Sequence, residues 1–166
     1  MIDEETLANL RGVWPDAADF EQAAIAELFE LADLVEDIQR RIKVLAEASG
    51  MPALHFYVLE QLALEGGQAP LSELVDALDL PKQSATYMVD RLEGEAYVER
   101  QRDPADRRRF QIVLTRKGRR KVKSNLPRFY KAMLDALRQV PAEGRAQLLR
   151  SLAQFRDELG TSGAST

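Results

Sequence analysis

The stretch from Leu71 to Gly118 constrains this chain more than any other. Leu71, Leu74, Val75 and Leu78 recur at helical spacing and predict a short helix ending by Asp79. Leu80-Pro81 restarts the chain almost at once, and Ala85, Met88, Val89 and Leu92 form the apolar side of a second helix. Two helices joined by so short a turn must cross steeply. After Gly94 the hydrophobic period changes to two. Tyr97-Val98-Glu99-Arg100 reads as a strand and Asp103-Pro104-Ala105-Asp106 as a turn cluster. Phe110, Ile112 and Leu114, alternating with Gln111 and Val113, read as the returning strand. Helix, tight turn, helix, strand, basic loop, strand is the order of a winged helix-turn-helix.

The flanks predict helices that pair two copies of this module. Asp19 to Ser49 carries Leu28, Leu31, Val35, Ile38, Ile42 and Leu45 at spacings of three and four. Phe20, Ile25, Phe29 and Leu34 widen that stripe, so its first half must be covered on two sides. Ser49-Gly50 stops it. Pro52 to Leu64 is the next helix, with Leu54, Val58 and Leu62 inward. Glu65-Gly66-Gly67-Gln68 reads as a flexible turn, and Pro70 falls at or near the first helical position. After Thr115-Arg116-Lys117-Gly118 a long helix carries Val122, Leu126, Phe129, Tyr130, Met133, Leu134 and Leu137. Pro127 inside it predicts a kink or break. Pro141 opens a last helix with Leu148, Leu149, Leu152, Phe155 and Leu159, and Gly160 onward reads as a flexible tail. The expected fold class is mainly α with a small β-hairpin wing: a winged helix-turn-helix plus a helical dimerisation region. Its divisions are an N-terminal arm and long helix (1–50), the winged module (51–118), C-terminal dimerisation helices (119–160) and a tail (161–166).

Charge is unevenly placed. The whole chain is at −4, but residues 1–80 sum to −13, residues 81–125 to +7 and residues 126–166 to +2. A basic middle inside an acidic chain is an electrostatic footprint on one surface. The absence of cysteine removes disulfides, thiolate nucleophiles and Cys-based zinc sites. With one histidine, His55, no multi-His metal site is expected, and no cofactor. No nucleophile–base pair or Gly-rich phosphate loop appears, so an enzyme is not expected. No apolar run approaches the roughly 20 residues that span a bilayer. The acidic start Met1-Ile2-Asp3-Glu4-Glu5 lacks the basic region of a signal peptide, so the cytoplasm is the expected location.

On the helix after Pro81, the apolar set leaves Gln83, Thr86, Tyr87 and Asp90 in one stripe on the opposite face, flanked by Lys82 and Ser84. A major-groove reader needs such a face. Short polar side chains allow close approach, Gln pairs bidentately with adenine, and Thr meets a thymine methyl. The helix N-terminus itself attracts phosphate. The loop carries Arg102 and Arg107-Arg108-Arg109, and arginines on a hairpin tip enter narrow, negative minor grooves. Asp103 and Asp106 are placed to orient neighbouring guanidinium groups. Strand alternation keeps the three arginines from pointing one way. Arg107 and Arg108 are expected on DNA, and Arg109 internal or on phosphate.

Several of these features resemble the MarR family of bacterial transcription regulators. They are Leu71-Ser72-Glu73-Leu74, Val89-Asp90-Arg91-Leu92-Glu93, Val98-Glu99-Arg100, Asp103-Pro104-Ala105-Asp106-Arg107-Arg108 and Leu114-Thr115-Arg116-Lys117-Gly118. The resemblance covers about 50 residues tightly, and the helical flanks agree in order and length. It implies a symmetric dimer, formed by the N- and C-terminal helices, that reads a pseudo-palindromic operator in double-stranded DNA. The expected DNA-contacting set is Lys82, Gln83, Ser84, Thr86, Tyr87, Arg91, Arg102, Arg107, Arg108 and Arg109. A small anionic or aromatic effector that releases DNA is implied as well, which would make the protein a repressor. Tyr87 is bulkier than most residues the family places on its groove face, so no base preference is carried over. Near the family's pocket, between dimer helices and reading head, the aromatic or titratable candidates are Trp14, His55, Phe56 and Tyr57. The alternative function is a winged-helix protein–protein adaptor, which the net charge of −4 suits and the arginine-bearing wing opposes.

Overall fold

A computed structural model of the protein describes residues 5, 6, 8, 9, 22–102 and 110–162. The chain divides into two units, residues 1–57 and 58–166.

In the first unit, helix α1 (Gln22–Glu47) is about 39 Å long at 1.5 Å per residue. Gly50, at φ 77°, donates its N–H to the Glu47 carbonyl at 2.9 Å and closes the helix, as the Ser49-Gly50 stop predicts. Arg40 and Arg41 pair with Glu36 and Asp37 one turn back, a solvated belt on the second half of α1. Leu28, Leu34, Val35 and Ile38 stay between 41% and 55% exposed, because the described chain places nothing over that face.

Helix α2 (Ala53–Leu64) begins one residue after Pro52 and runs across the junction of the units. Val58 and Leu62 are buried as expected, but Leu54 is 38% exposed. Two glycines end the helix. Gly66 and Gly67 have φ of 76° and 103°, a succession few L-residues tolerate. Gly67 donates to the Leu62 carbonyl at 2.7 Å, and its own carbonyl accepts from Leu114 N–H at 2.8 Å. This turn is therefore tied down, and it leads into a strand that local periodicity does not predict: β1 (Gln68–Pro70). Pro70 is the N-cap of α3 (Leu71–Ala77), one place earlier than the first helical residue. Asp79 at φ 47° and the Leu80 N–H bond to Val75 O turn the chain into α4 (Lys82–Gly94), capped by Pro81.

Strands β2 (Val98–Arg102) and β3 (Phe110–Leu114) complete an antiparallel sheet of order β1-β3-β2, with Val98 opposite Leu114 and Arg102 opposite Phe110. Being central, β3 buries Val113 as well as Ile112 and Leu114, while Phe110 is 44% exposed. The core of this unit is Val58, Leu59, Leu62, Ala69, Leu74, Ala85, Met88, Val89, Leu92, Val98, Ile112, Val113, Leu114 and Phe129.

Helix α5 (Arg116–Arg138) is capped by Thr115, whose hydroxyl accepts from Gly118 N–H at 3.1 Å and donates to the Ala96 carbonyl at 2.7 Å. Gly118 lies against Tyr97. A Cβ there would overlap the Tyr97 carbonyl oxygen and sit 3.1 Å from its carbon. The helix continues through Pro127 without the expected break, since one missing N–H is outweighed by the turns on either side. Tyr130 donates its hydroxyl to Glu60 at 2.6 Å, joining α5 to α2 within the second unit. That bond, with some desolvation, pushes the Tyr130 pKa up to about 12. Helix α6 (Ala142–Ser162) runs past Gly160, where a tail was expected, and leaves Leu148, Leu149 and Leu159 more than half exposed. Among the described residues no helix is long and apolar enough to cross a membrane.

Candidate nucleic-acid interface

Helix α4 is held by one face. Ala85, Met88, Val89 and Leu92 are at most 3% exposed and pack into the core of the second unit, with α3 alongside. The opposite face is open: Gln83, Ser84, Thr86, Tyr87 and Arg91 are all exposed, Tyr87 by 65%. Lys82 opens the helix; its side chain lies outside the described residues. The first turn holds no acidic residue, and Arg91 sits in the last. The partial positive charge of the N-terminus is therefore unopposed by a carboxylate, and Arg91 complements the C-terminus.

Asp90 belongs to a network that helical spacing alone does not reveal. Arg100, on β2, directs its guanidinium to Glu93 at 2.5 Å and to Asp90 at 2.6 Å, and its backbone N–H to Glu93 at 3.1 Å. One cation thus joins the reading helix to the first wing strand. A signal was present: with period two, Arg100 shares a face with buried Val98, where an arginine needs a counter-ion. A second fastening is at the far end of α4. Lys117 donates to the Glu95 carbonyl at 2.8 Å, and its ammonium lies 4.4 Å from the centre of the Tyr97 ring. Ala96 between them holds φ 58°, and Tyr97 N–H reaches back to Leu92 O at 2.9 Å, closing the helix.

Arg102 is exposed on the wing stem, 5.6 Å over the ring of its cross-strand neighbour Phe110. Arg107, Arg108 and Arg109, with the turn at 103–106, lie outside the described residues. The structure thus brings Gln83, Ser84, Thr86 and Tyr87 onto one accessible face and binds it to the strand that carries Arg102.

The effector candidates separate. A groove of about 410 Å³ within the first unit is lined by Gln39, Ile42, Lys43, Ala53, Leu54 and Tyr57. Of the three expected ligand residues that are described, His55, Phe56 and Tyr57, only Tyr57 lines it. Phe56 and His55 are buried at 4% and 9%, with Phe56 edge-on to Tyr57 at 6.0 Å. The His55 Nδ1 atom is buried without a hydrogen-bond partner among the described residues. Trp14 lies outside the described residues. Sequence spacing does not mark Gln39 and Lys43, because an exposed position on an amphipathic helix carries no sign of the concavity it borders, and it places Leu54 inward.

An exposed polar face on the second helix of a pair joined by a short turn, followed by two paired strands, is the arrangement of a winged-helix module, a kind that reads nucleic acids. Residues 49–109 match the model of the MarR family. The chain is 26% identical over 139 residues to the uncharacterised HTH-type transcriptional regulator YsmB of Bacillus subtilis, covering 80% of this chain and 94% of that one. It superposes on AbsC, a MarR family transcriptional regulator from Streptomyces coelicolor, with a TM-score of 0.69 at 20% identity, over 87% of this chain and 97% of AbsC. It likewise superposes on BpsR of Bordetella bronchiseptica with a TM-score of 0.62 at 21% identity, over 76% and 98% of the two chains. In the matched part the chain is similar to MarR family transcription regulators, and its fold is theirs.

Proposed function

We propose that the protein is a homodimeric, sequence-specific repressor that reads a pseudo-palindromic operator and is released by a small anionic or aromatic effector. The observation that carries this is the face of α4: Gln83, Ser84, Thr86 and the bulkier Tyr87 exposed opposite a set at most 3% exposed. Gln83, Ser84, Thr86 and Tyr87 supply base contacts. Lys82, Arg91 and Arg102 supply phosphate contacts, Arg107 and Arg108 the minor-groove contact, and Arg109 an internal or phosphate contact. The uncovered apolar faces of α1, the second half of α5 and α6 support pairing with a second copy. Two reading heads then meet a twofold site. Regulation of BpsR's DNA binding by 6-hydroxynicotinic acid supports the effector class. The groove beside Tyr57 suits it too, with apolar walls for a ring and Lys43 for a carboxylate.

The test is selection of bound fragments from genomic DNA, followed by titration of one selected duplex. Gln83→Ala relaxes preference at one base position in each half-site and costs about 1–3 kcal/mol. A protein that retains no duplex at low salt is instead a winged-helix adaptor. One that sediments as a single copy at micromolar concentration is not the twofold reader described.

A further inference from the structure

Helix α5 begins with a run of charge that the winged module does not use. From Arg107 to Leu134 the chain holds eleven Lys and Arg and no Asp or Glu, in a protein whose net charge is −4. The first two turns of α5 carry Arg116, Lys117, Arg119, Arg120, Lys121 and Lys123. Lys117 is occupied with the Glu95 carbonyl and the Tyr97 ring. Arg116, Arg119, Arg120 and Lys123 are different. They stand at i, i+3, i+4 and i+7, one stripe of the helix, all four are exposed, and no ion pair with another described residue holds them.

That stripe is electrostatically misplaced for the helix alone. Cations in the first turns oppose the helix dipole, and like charges three and four apart repel. Some exposed cations are paired within their own helix, Arg40 and Arg41 with Glu36 and Asp37 and Lys131 with Asp135, but no carboxylate stands among the four of this stripe. A polyanion would relieve it. The stripe starts where Thr115 and Lys117 bind the end of the reading helix, at Glu95, Ala96 and Tyr97. Its charge is continuous in sequence with the arginines of the wing. It also lies beyond residues 49–109, the part matched by the family model.

We infer that Arg116, Arg119, Arg120 and Lys123 form a second phosphate-binding surface, which extends the footprint on duplex DNA beyond the reading helix and wing. The inference rests on the DNA-binding reading above. The surface adds affinity and salt dependence without base preference, because its long side chains meet phosphates and not base edges.

The probe is a mixed-sequence duplex of about 40 base pairs, titrated over a series of salt concentrations with the full chain. The variant is Arg119→Ala, Arg120→Ala and Lys123→Ala together, with Arg150→Ala on α6 as a charge control. Alanine favours helix, so the triple variant melts no lower than the parent. It binds at least tenfold more weakly near physiological salt, and its log–log salt slope flattens by about one for each phosphate it no longer neutralises. Arg150→Ala changes neither. A triple variant with the parent's affinity and slope overturns the inference while leaving the DNA reading intact. Weaker binding with an unchanged slope, accompanied by dissociation to single copies in sedimentation, also overturns it and makes the stripe a self-association surface. A parent chain that binds no duplex at low salt removes the DNA reading and this surface together.

Discussion

Replacing Arg100 with methionine tests whether one cation fastens the reading helix to the wing. Methionine keeps an unbranched stem and deletes the guanidinium. Arg100 is 24% exposed at its side chain, Glu93 39% and Asp90 56%. Hydrogen bonds to charged groups contribute roughly 1.5–3 kcal/mol when desolvated, but pairs this exposed are screened toward the surface range of about 0.2–1 kcal/mol. The Glu93 arm, doubled by the Arg100 backbone N–H, should contribute about 1 kcal/mol and the Asp90 arm about 0.5 kcal/mol or less. Arg100→Met, which keeps the backbone N–H, should therefore lower stability by about 1–1.5 kcal/mol, a melting-point drop of roughly 2–6 °C for a chain of this length. The assay is urea unfolding of the parent, Arg100→Met, Glu93→Gln and the double variant at one protein concentration, since a binding partner shifts the midpoint. The cycle should give a coupling energy of about 1 kcal/mol, and the matching cycle with Asp90→Asn less. Strictly additive effects in the Glu93 cycle, or a larger coupling to Asp90 than to Glu93, would refute the reasoning.

Gly118→Ala reverses the usual gain of about 1 kcal/mol for alanine inside a helix, because its Cβ overlaps the Tyr97 carbonyl; a loss of about 1–3 kcal/mol is expected by thermal unfolding. Tyr130 should titrate near pH 12 in a phenolate absorbance titration, and that step should vanish in Tyr130→Phe. Its folded pKa lies above the unfolded value of about 10, so the stability it contributes is complete below pH 10 and disappears as pH rises from about 10 to 12. At 38% exposure this is no more than about 1 kcal/mol, and alkaline melts of the parent and Tyr130→Phe should converge. Arg108→Ala should weaken binding to a selected duplex by about 1 kcal/mol or more, and unchanged affinity would remove the wing tip from recognition. Lys43→Met should cut the response to an aromatic acid at least tenfold while leaving ligand-free DNA binding unchanged; an equal response would place the effector elsewhere.

What was legible in the sequence is what periodicity encodes. The 3.6-residue stripe of Ala85, Met88, Val89 and Leu92 specified which face of α4 is buried, and the period of two after Gly94 specified the hairpin. Features without a period were hidden. Strand β1 is three residues long and exists because β3 pairs with it, a long-range cause that no local window contains. Pro127 looked like a break because the energy of a continuous helix on either side is not visible at one residue. The spacing of Leu28 and Ile38 reports that a face must be covered, not by which chain. The Arg100 pair with Glu93, seven residues away, required β2 to fold back along α4.

The sheet has two outer strands, and each is closed to newcomers in its own way. β1 stops after three residues at Pro70, which has no N–H to offer. β2 presents Glu99, Arg100, Gln101 and Arg102 in succession, so any strand laid beside it would have to desolvate three formal charges. A protein with this much uncovered apolar surface on its helices is thereby steered toward side-by-side helical contact and away from stacking of its hairpins, which is the difference between assembling and aggregating.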